Sequence, residues 1–199
     1  MSDELLVGLV RYGLFPLWVI AGFGDYCCHR LTRIERTSGR VESSLHVVQY
    51  LQIVAGVALV VLLEVTSLVL VVVVIIALLH LATGYLDIAY TTGRRYISPL
   101  EQHVHSYMEM LPVVATALLV ILYWSAFAAI FNGANADWTL ALRQQPLPTG
   151  GLAAVAIGFI LAGLAIAEEY VRCARHRAAR DRRAGDGSIA ARADTRSPP

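Results

Sequence analysis

Residues 68–90 read LVLVVVVIIALLHLATGYLDIAY, an apolar run interrupted by His80 and Asp87. Its first half, Val69 to Leu79, is rich in β-branched residues and would suit a buried strand in water. Its length argues otherwise, because about 20 apolar residues carry an α-helix across the hydrocarbon core of a bilayer. A strand in lipid leaves its edge amides and carbonyls unpaired, whereas a helix satisfies them internally. The stretch therefore predicts a membrane-spanning helix that holds an imidazole and a carboxylate.

Four more apolar stretches of similar length lie to either side: Leu5–Phe23, Leu45–Leu63, Met110–Phe131 and Gly151–Val171. Of the 199 residues, 57% are hydrophobic and 16% charged, which is too little polar surface to cover a water-soluble core. The lipid bilayer is the expected partner, and nothing points to nucleic acid. The fold class that follows is all-α, a five-span transmembrane helical bundle over residues 1–181. Glu64 to Ser67 is so short a link that spans two and three form an antiparallel hairpin. Asn132 to Gly150 reads as a loop. Residues 182–199 have no apolar periodicity and read as a disordered basic tail. The opening Met1-Ser2-Asp3-Glu4 is acidic, unlike the basic start of a secretory signal, so the first run is expected to stay as a span. Cys27, Cys28 and Cys173 imply no disulfide framework, because adjacent cysteines lie too close to bridge each other.

The basic residues, all arginine, set the expected orientation. Arg30, Arg33, Arg36 and Arg40 separate spans one and two, and Arg94 and Arg95 separate three and four. Arg172, Arg175, Arg177, Arg180, Arg182 and Arg183 follow span five, while the opposite side has Arg143, with Arg11 inside the first span. The positive-inside rule then puts the N-terminus outside and the C-terminus in the cytoplasm.

Histidines and carboxylates gather at the arginine-rich end. Asp25 and His29 are four apart, as are Glu42 and His46, and His105 and Glu109, so each pair shares a helix face. His80 and Asp87 are two turns apart on a face that also holds Gly84. Four helices thus each offer an acid and a histidine, the pattern of a carboxylate-bridged di-metal site in a helix bundle. An ionisable residue within a span costs at least ~2.5 kcal/mol, so eight of them need compensation that two cations would supply. Asp25, His29, Glu42, His46, His80, Asp87, His105 and Glu109 are the expected metal ligands. Ser98-Pro99-Leu100-Glu101 has the form of a capping box, which makes Glu101 a cap rather than a ligand. His103 points away from His105, and Glu168 and Glu169 read as interface residues ahead of a basic stop.

The stretches Arg33 to Gly39 with Glu42 to His46, and Ile97 to Ser106, resemble a group of small uncharacterised bacterial multi-span membrane proteins over spans one to four. That resemblance implies a bacterial inner-membrane setting and nothing about chemistry. Membrane desaturases and hydroxylases carry HxxxH and HxxHH boxes that this chain lacks, and the HExxH motif of zinc proteases is also absent.

Mixed carboxylate and imidazole donors suit a divalent metal, with iron expected first and zinc or manganese as alternatives. The expected function is a di-metal oxidoreductase acting on a lipid or other hydrophobic substrate. A zinc-dependent membrane hydrolase and a proton or metal-ion transport protein are the alternatives. A minor reading, haem held between His46 and His80, is opposed by the surrounding acids.

Overall fold

A computed structural model describes residues 3–132, 135–145 and 148–194. The described chain is helical, with one isolated antiparallel bridge between Leu63 and Leu142. Five helices are long and apolar enough to cross a membrane, at Glu4–Thr32, Gly39–Leu62, Ser67–Thr91, Pro99–Leu122 and Thr149–Ala184.

The first of these joins α1 (Asp3–Leu9), a π-helical turn (Val10–Leu14) and α2 (Phe15–Thr32). Pro16 accounts for the turn: it lacks an amide proton and its ring crowds the carbonyl one turn back, so the backbone widens just before it. α2 stops where Arg33 takes the left-handed conformation. A 3₁₀ turn (Ile34–Arg36) follows, with Ile34 fully buried, and Gly39 at φ 61° opens α3 (Gly39–Leu62).

α4 (Ser67–Thr91) starts at the N-cap Thr66, whose hydroxyl accepts from the Val69 amide. α5 (Pro99–Leu122) starts at the N-cap Ser98, with Pro99 in its first turn. The fourth apolar stretch, expected as Met110–Phe131, is divided: α5 ends at Leu122 and a separate short helix, α6 (Trp124–Asn132), follows. Ser67 Oγ donates to the Ala126 carbonyl at 2.7 Å and ties α6 to the start of α4.

α7 (Thr149–Asp194) runs on well past the apolar stretch. Over residues 182–194 the chain is helical, whereas the composition suggested no regular structure. Alanine and arginine are strong helix formers and extend a helix already nucleated in its span. Residues 195–199 of the expected tail lie outside the described residues.

Helix packing closes a ring in the order α4, α3, α7, α2, α5. α7 comes close to α3 because Gly163 faces Tyr50, where a Cβ would sit 2.6 Å from the phenol oxygen. That phenol donates to the Phe159 carbonyl at 2.8 Å. At one end of the bundle, residues 135–145 lie across the α3–α4 turn. Glu64 N donates to Ala141 O, Arg143 N to Leu62 O and Leu68 N to Asp137 O. Large apolar side chains such as Ile20, Leu78, Leu86, Ile121 and Leu164 face outward, while polar and charged residues outnumber apolar ones among the buried positions. This inside-out distribution is the one lipid favours.

Candidate metal centre

The polar core lies at the other end of the ring, beside the arginine-rich links. The last turns of α2, the first turns of α3 and α5, the second half of α4 and the Glu169 turn of α7 meet there. Asp25, His29, Glu42, His46, Asp87, Glu101 and Glu169 are all buried, with Glu42 fully so. Asp25, His29 and His46 bring donor atoms within 4.8 Å of one another, and so do Glu42, His46 and Asp87.

Glu169 organises the two histidines. His29 Nδ1 donates to Glu169 Oε2 at 2.9 Å, and His46 Nδ1 donates to Glu169 Oε1 at 2.7 Å. The two rings stack with centroids 4.7 Å apart and planes 6° from parallel. An ionised carboxylate only accepts, so both Nδ1 atoms carry the proton and both Nε2 atoms are turned inward. There they face oxygens. His29 Nε2 is 3.3 Å from Glu101 Oε1, 3.4 Å from Asp25 Oδ2 and 3.9 Å from Glu42 Oε1. His46 Nε2 is 3.3 Å from Asp87 Oδ2. His105 Nε2 is 3.4 Å from Glu109 Oε1 and 3.9 Å from Asp87 Oδ2, and its Nδ1 is 3.9 Å from Asp25 Oδ1.

A lone pair aimed at an anion is repulsive unless a proton or a metal lies between them. Six carboxylates (Asp25, Glu42, Asp87, Glu101, Glu109 and Glu169) share this volume with one arginine, Arg95. Asp25 Oδ1, Asp87 Oδ1, Glu101 Oε2 and Glu109 Oε1 have no hydrogen-bond partner among the described residues. The donor set therefore fits cations. A carboxylate that holds the outer nitrogen of a ligating histidine is the usual support of a metal site. Nearest-ligand separations are about 3.3 Å around a tetrahedral ion with ~2.0 Å bonds and about 3.0 Å around an octahedral one. The closest inward nitrogen–oxygen pairs, at 3.3 to 3.4 Å, are of that size.

Seven of the eight expected ligands are joined by hydrogen bonds or ion-pair contacts to other members of the cluster, and His80 is not among them. It is buried on α4, but no hydrogen bond or ion pair among the described residues links it to the cluster, and its Nδ1 has no partner. His103 is exposed and packs edge-on against Tyr107.

Two acids of the core escaped the sequence reading. The Ser98 hydroxyl does accept from the Glu101 amide at 3.1 Å, as a cap should. The Glu101 carboxylate nonetheless turns inward to His29 and Arg95. Its spacing from His105 and Glu109, one turn each along α5, was the available signal. Glu169, expected at the interface, is buried, while Glu168 next to it makes the surface contacts, with Tyr26, Arg30 and Arg172.

Arg95, expected as an orientation-setting residue, lies in the link after α4. Its side chain is only 5% exposed, and Nη2 reaches Glu42 Oε1 and Glu101 Oε1 at 2.5 Å each. Burial works against its charge, but the Glu101 and Glu42 carboxylates outweigh it and hold the guanidinium pKa above its ordinary value. Ser38 Oγ also donates to Glu42. Gly84 of α4 makes room for Glu109, since a Cβ at residue 84 would overlap that carboxylate.

No protein family, curated protein or solved structure matches the chain, so the chemistry of the site is read from its own residues.

Proposed function

We propose that this is an integral membrane oxidoreductase of the bacterial inner membrane. A pair of divalent ions, iron or manganese, is held at the cytoplasmic end of the bundle by Asp25, His29, Glu42, His46, Asp87, Glu101, His105 and Glu109. The substrate is a lipid or another hydrophobic molecule. The observation that carries the reading is the Glu169 clamp, which directs two imidazole Nε2 atoms into a buried nest of carboxylates. Oxygen-rich donors with a few imidazoles suit iron and manganese. When bound, such a pair supplies redox cycling and Lewis acidity next to the inner leaflet.

The residues around the centre fit a lipid-side approach. His105 and Glu109, with side chains 13% and 21% exposed, are the least buried members of the cluster, and both lie on α5. Exposed Tyr107 and Met110 flank them on the same helix. Transport has less support, because α3 beyond Gln52 and α4 before His80 carry no ionisable side chain.

Zinc-dependent hydrolysis is the second reading, favoured by nitrogen–oxygen separations that match a tetrahedral ion. Glu109 would then serve as general base. Elemental analysis of the detergent-purified protein, beside a Glu42→Ala/His46→Ala variant, tests both readings. About two irons or manganese ions per chain, lost in the variant, is the expected result. Zinc would move the function to hydrolysis. No metal in a folded wild type would overturn both.

A further inference from the structure

The end of the bundle away from the cluster carries an apolar edge. Residues 135–145 lie across the α3–α4 turn, and every second residue from Asp137 turns a backbone group toward it. The carbonyls of Asp137, Thr139 and Ala141 accept from Leu68 N, Thr66 Oγ1 and Glu64 N, and Arg143 N donates to Leu62 O, all at 2.9 to 3.1 Å. This alternation is that of an extended chain, in which successive side chains point to opposite faces. The turn beneath is covered, with Val65, Thr66 and Ser67 buried. The charged side chains of the ribbon are engaged. Asp137 Oδ1 accepts from the Thr139 amide and hydroxyl at 2.9 and 2.7 Å, and Arg143 Nη2 donates to Val60 O at 2.9 Å. Between them stand Trp138, Leu140 and Leu142, which are 53, 64 and 76% exposed. Independently of the metal reading, we infer that this ribbon is an interfacial anchor. Trp138, Leu140 and Leu142 insert into the boundary between headgroups and acyl chains of the leaflet at this end of the bundle.

The depth of the ribbon selects lipid as the occupant. It is bonded to Leu62, the last residue of α3, and to Thr66, the N-cap of α4, so it lies where two apolar spans end. The edge also continues the lipid-facing surface. Leu62 is itself exposed, and α6, tied to the same start of α4 through Ser67, exposes Trp124 and Phe131. Tryptophan collects at membrane interfaces, where its ring has an apolar body and a polar handle. The backbone limits how far the ribbon sinks. The amides and carbonyls of Trp138, Leu140 and Leu142 make no hydrogen bond among the described residues. Hydrocarbon would penalise them, whereas the wet headgroup layer hydrates them and leaves them open to aqueous reagents. The side chains therefore reach into the leaflet while the backbone stays at headgroup level.

The test uses full-length protein in phosphatidylcholine vesicles, with Trp18→Phe and Trp124→Phe leaving Trp138 as the single tryptophan. Lipid brominated near the glycerol end of its chains should quench Trp138 emission several-fold more strongly than lipid brominated near the chain ends. Adding Leu140→Ser and Leu142→Ser should remove most of that quenching, and full quenching retained there would overturn the anchor. Emission untouched by either lipid would also overturn it. With quenching by aqueous iodide, the ribbon projects into water; without it, a second copy or another protein covers the edge. Stronger quenching from the chain ends would overturn it by placing the backbone in hydrocarbon. Circular dichroism melts establish that each variant is folded. If the double phenylalanine variant is not, a bimane on Leu140→Cys, in a chain lacking Cys27, Cys28 and Cys173, gives the same readout with spin-labelled lipids.

Discussion

The imidazoles of His29 and His46 lie stacked 4.7 Å apart, held in register by bonds from both Nδ1 atoms to the single carboxylate of Glu169. Glu169→Gln preserves the volume but offers one acceptor where there were two. One ring then loses its anchor and the tautomer that frees its Nε2. Loss of such a support typically weakens metal binding 10–100-fold, roughly 1.4–2.7 kcal/mol. Elemental analysis of the purified variant should find less bound metal, while Glu168→Gln, altered only in surface contacts, should match the wild type.

Gly84→Ala tests the close approach of α4 and Glu109. The added methyl meets the far end of a flexible side chain, so the fold survives and Glu109 is displaced. Alanine also favours the helix by about 0.8–1 kcal/mol over glycine. The expected outcome is a weaker metal site in a protein of equal or greater thermal stability, read from metal content and a melting curve on the same sample.

Without metal, six carboxylates face one arginine, and each adds to the repulsion felt by the others. Asp25→Asn removes one of those charges at nearly constant volume. In chelator-treated protein it should change stability by no more than about 1 kcal/mol, since His29 and His105 attract the lost charge while the other acids repel it. In metal-loaded protein the same change should lower stability, because a ligand is lost and binding energy contributes to folding. A rise under both conditions would argue that no metal contributes.

The orientation is checked with single cysteines at two exposed positions, Trp138 and Arg182, in a background lacking Cys27, Cys28 and Cys173. A membrane-impermeant maleimide applied to intact spheroplasts should label Trp138→Cys and spare Arg182→Cys. The opposite pattern would put the cluster on the outer face.

Much of this architecture is legible in the residues alone. The five spans follow from apolar length, and the pairs Asp25/His29, Glu42/His46 and His105/Glu109 follow from a spacing of four. Helices lengthened by polar turns are harder to read: α3 and α5 begin well before their apolar stretches, and those added turns supply Glu42 and Glu101. His80, buried but without a hydrogen bond or ion pair to the cluster among the described residues, shows another limit of periodicity. A shared face with Asp87 fixes direction around the helix axis, but not depth along it. Glu169 and Arg95 depend on which helices become neighbours, and local periodicity has nothing to say about that. An acid placed just before a basic stop was nonetheless a usable sign, because interfaces tolerate either charge while a span does not.

The carboxylate that clamps His29 and His46 belongs to α7, which follows in sequence the four helices, α2 to α5, that carry the rest of the cluster. A ribosome delivers those four helices first and Glu169 after them. Until α7 inserts, the two imidazoles have no common anchor and the nest is incomplete. Under the proposed metal reading, metallation would wait on the docking of α7, so that a chain with only α2 to α5 in place does not capture a reactive ion prematurely.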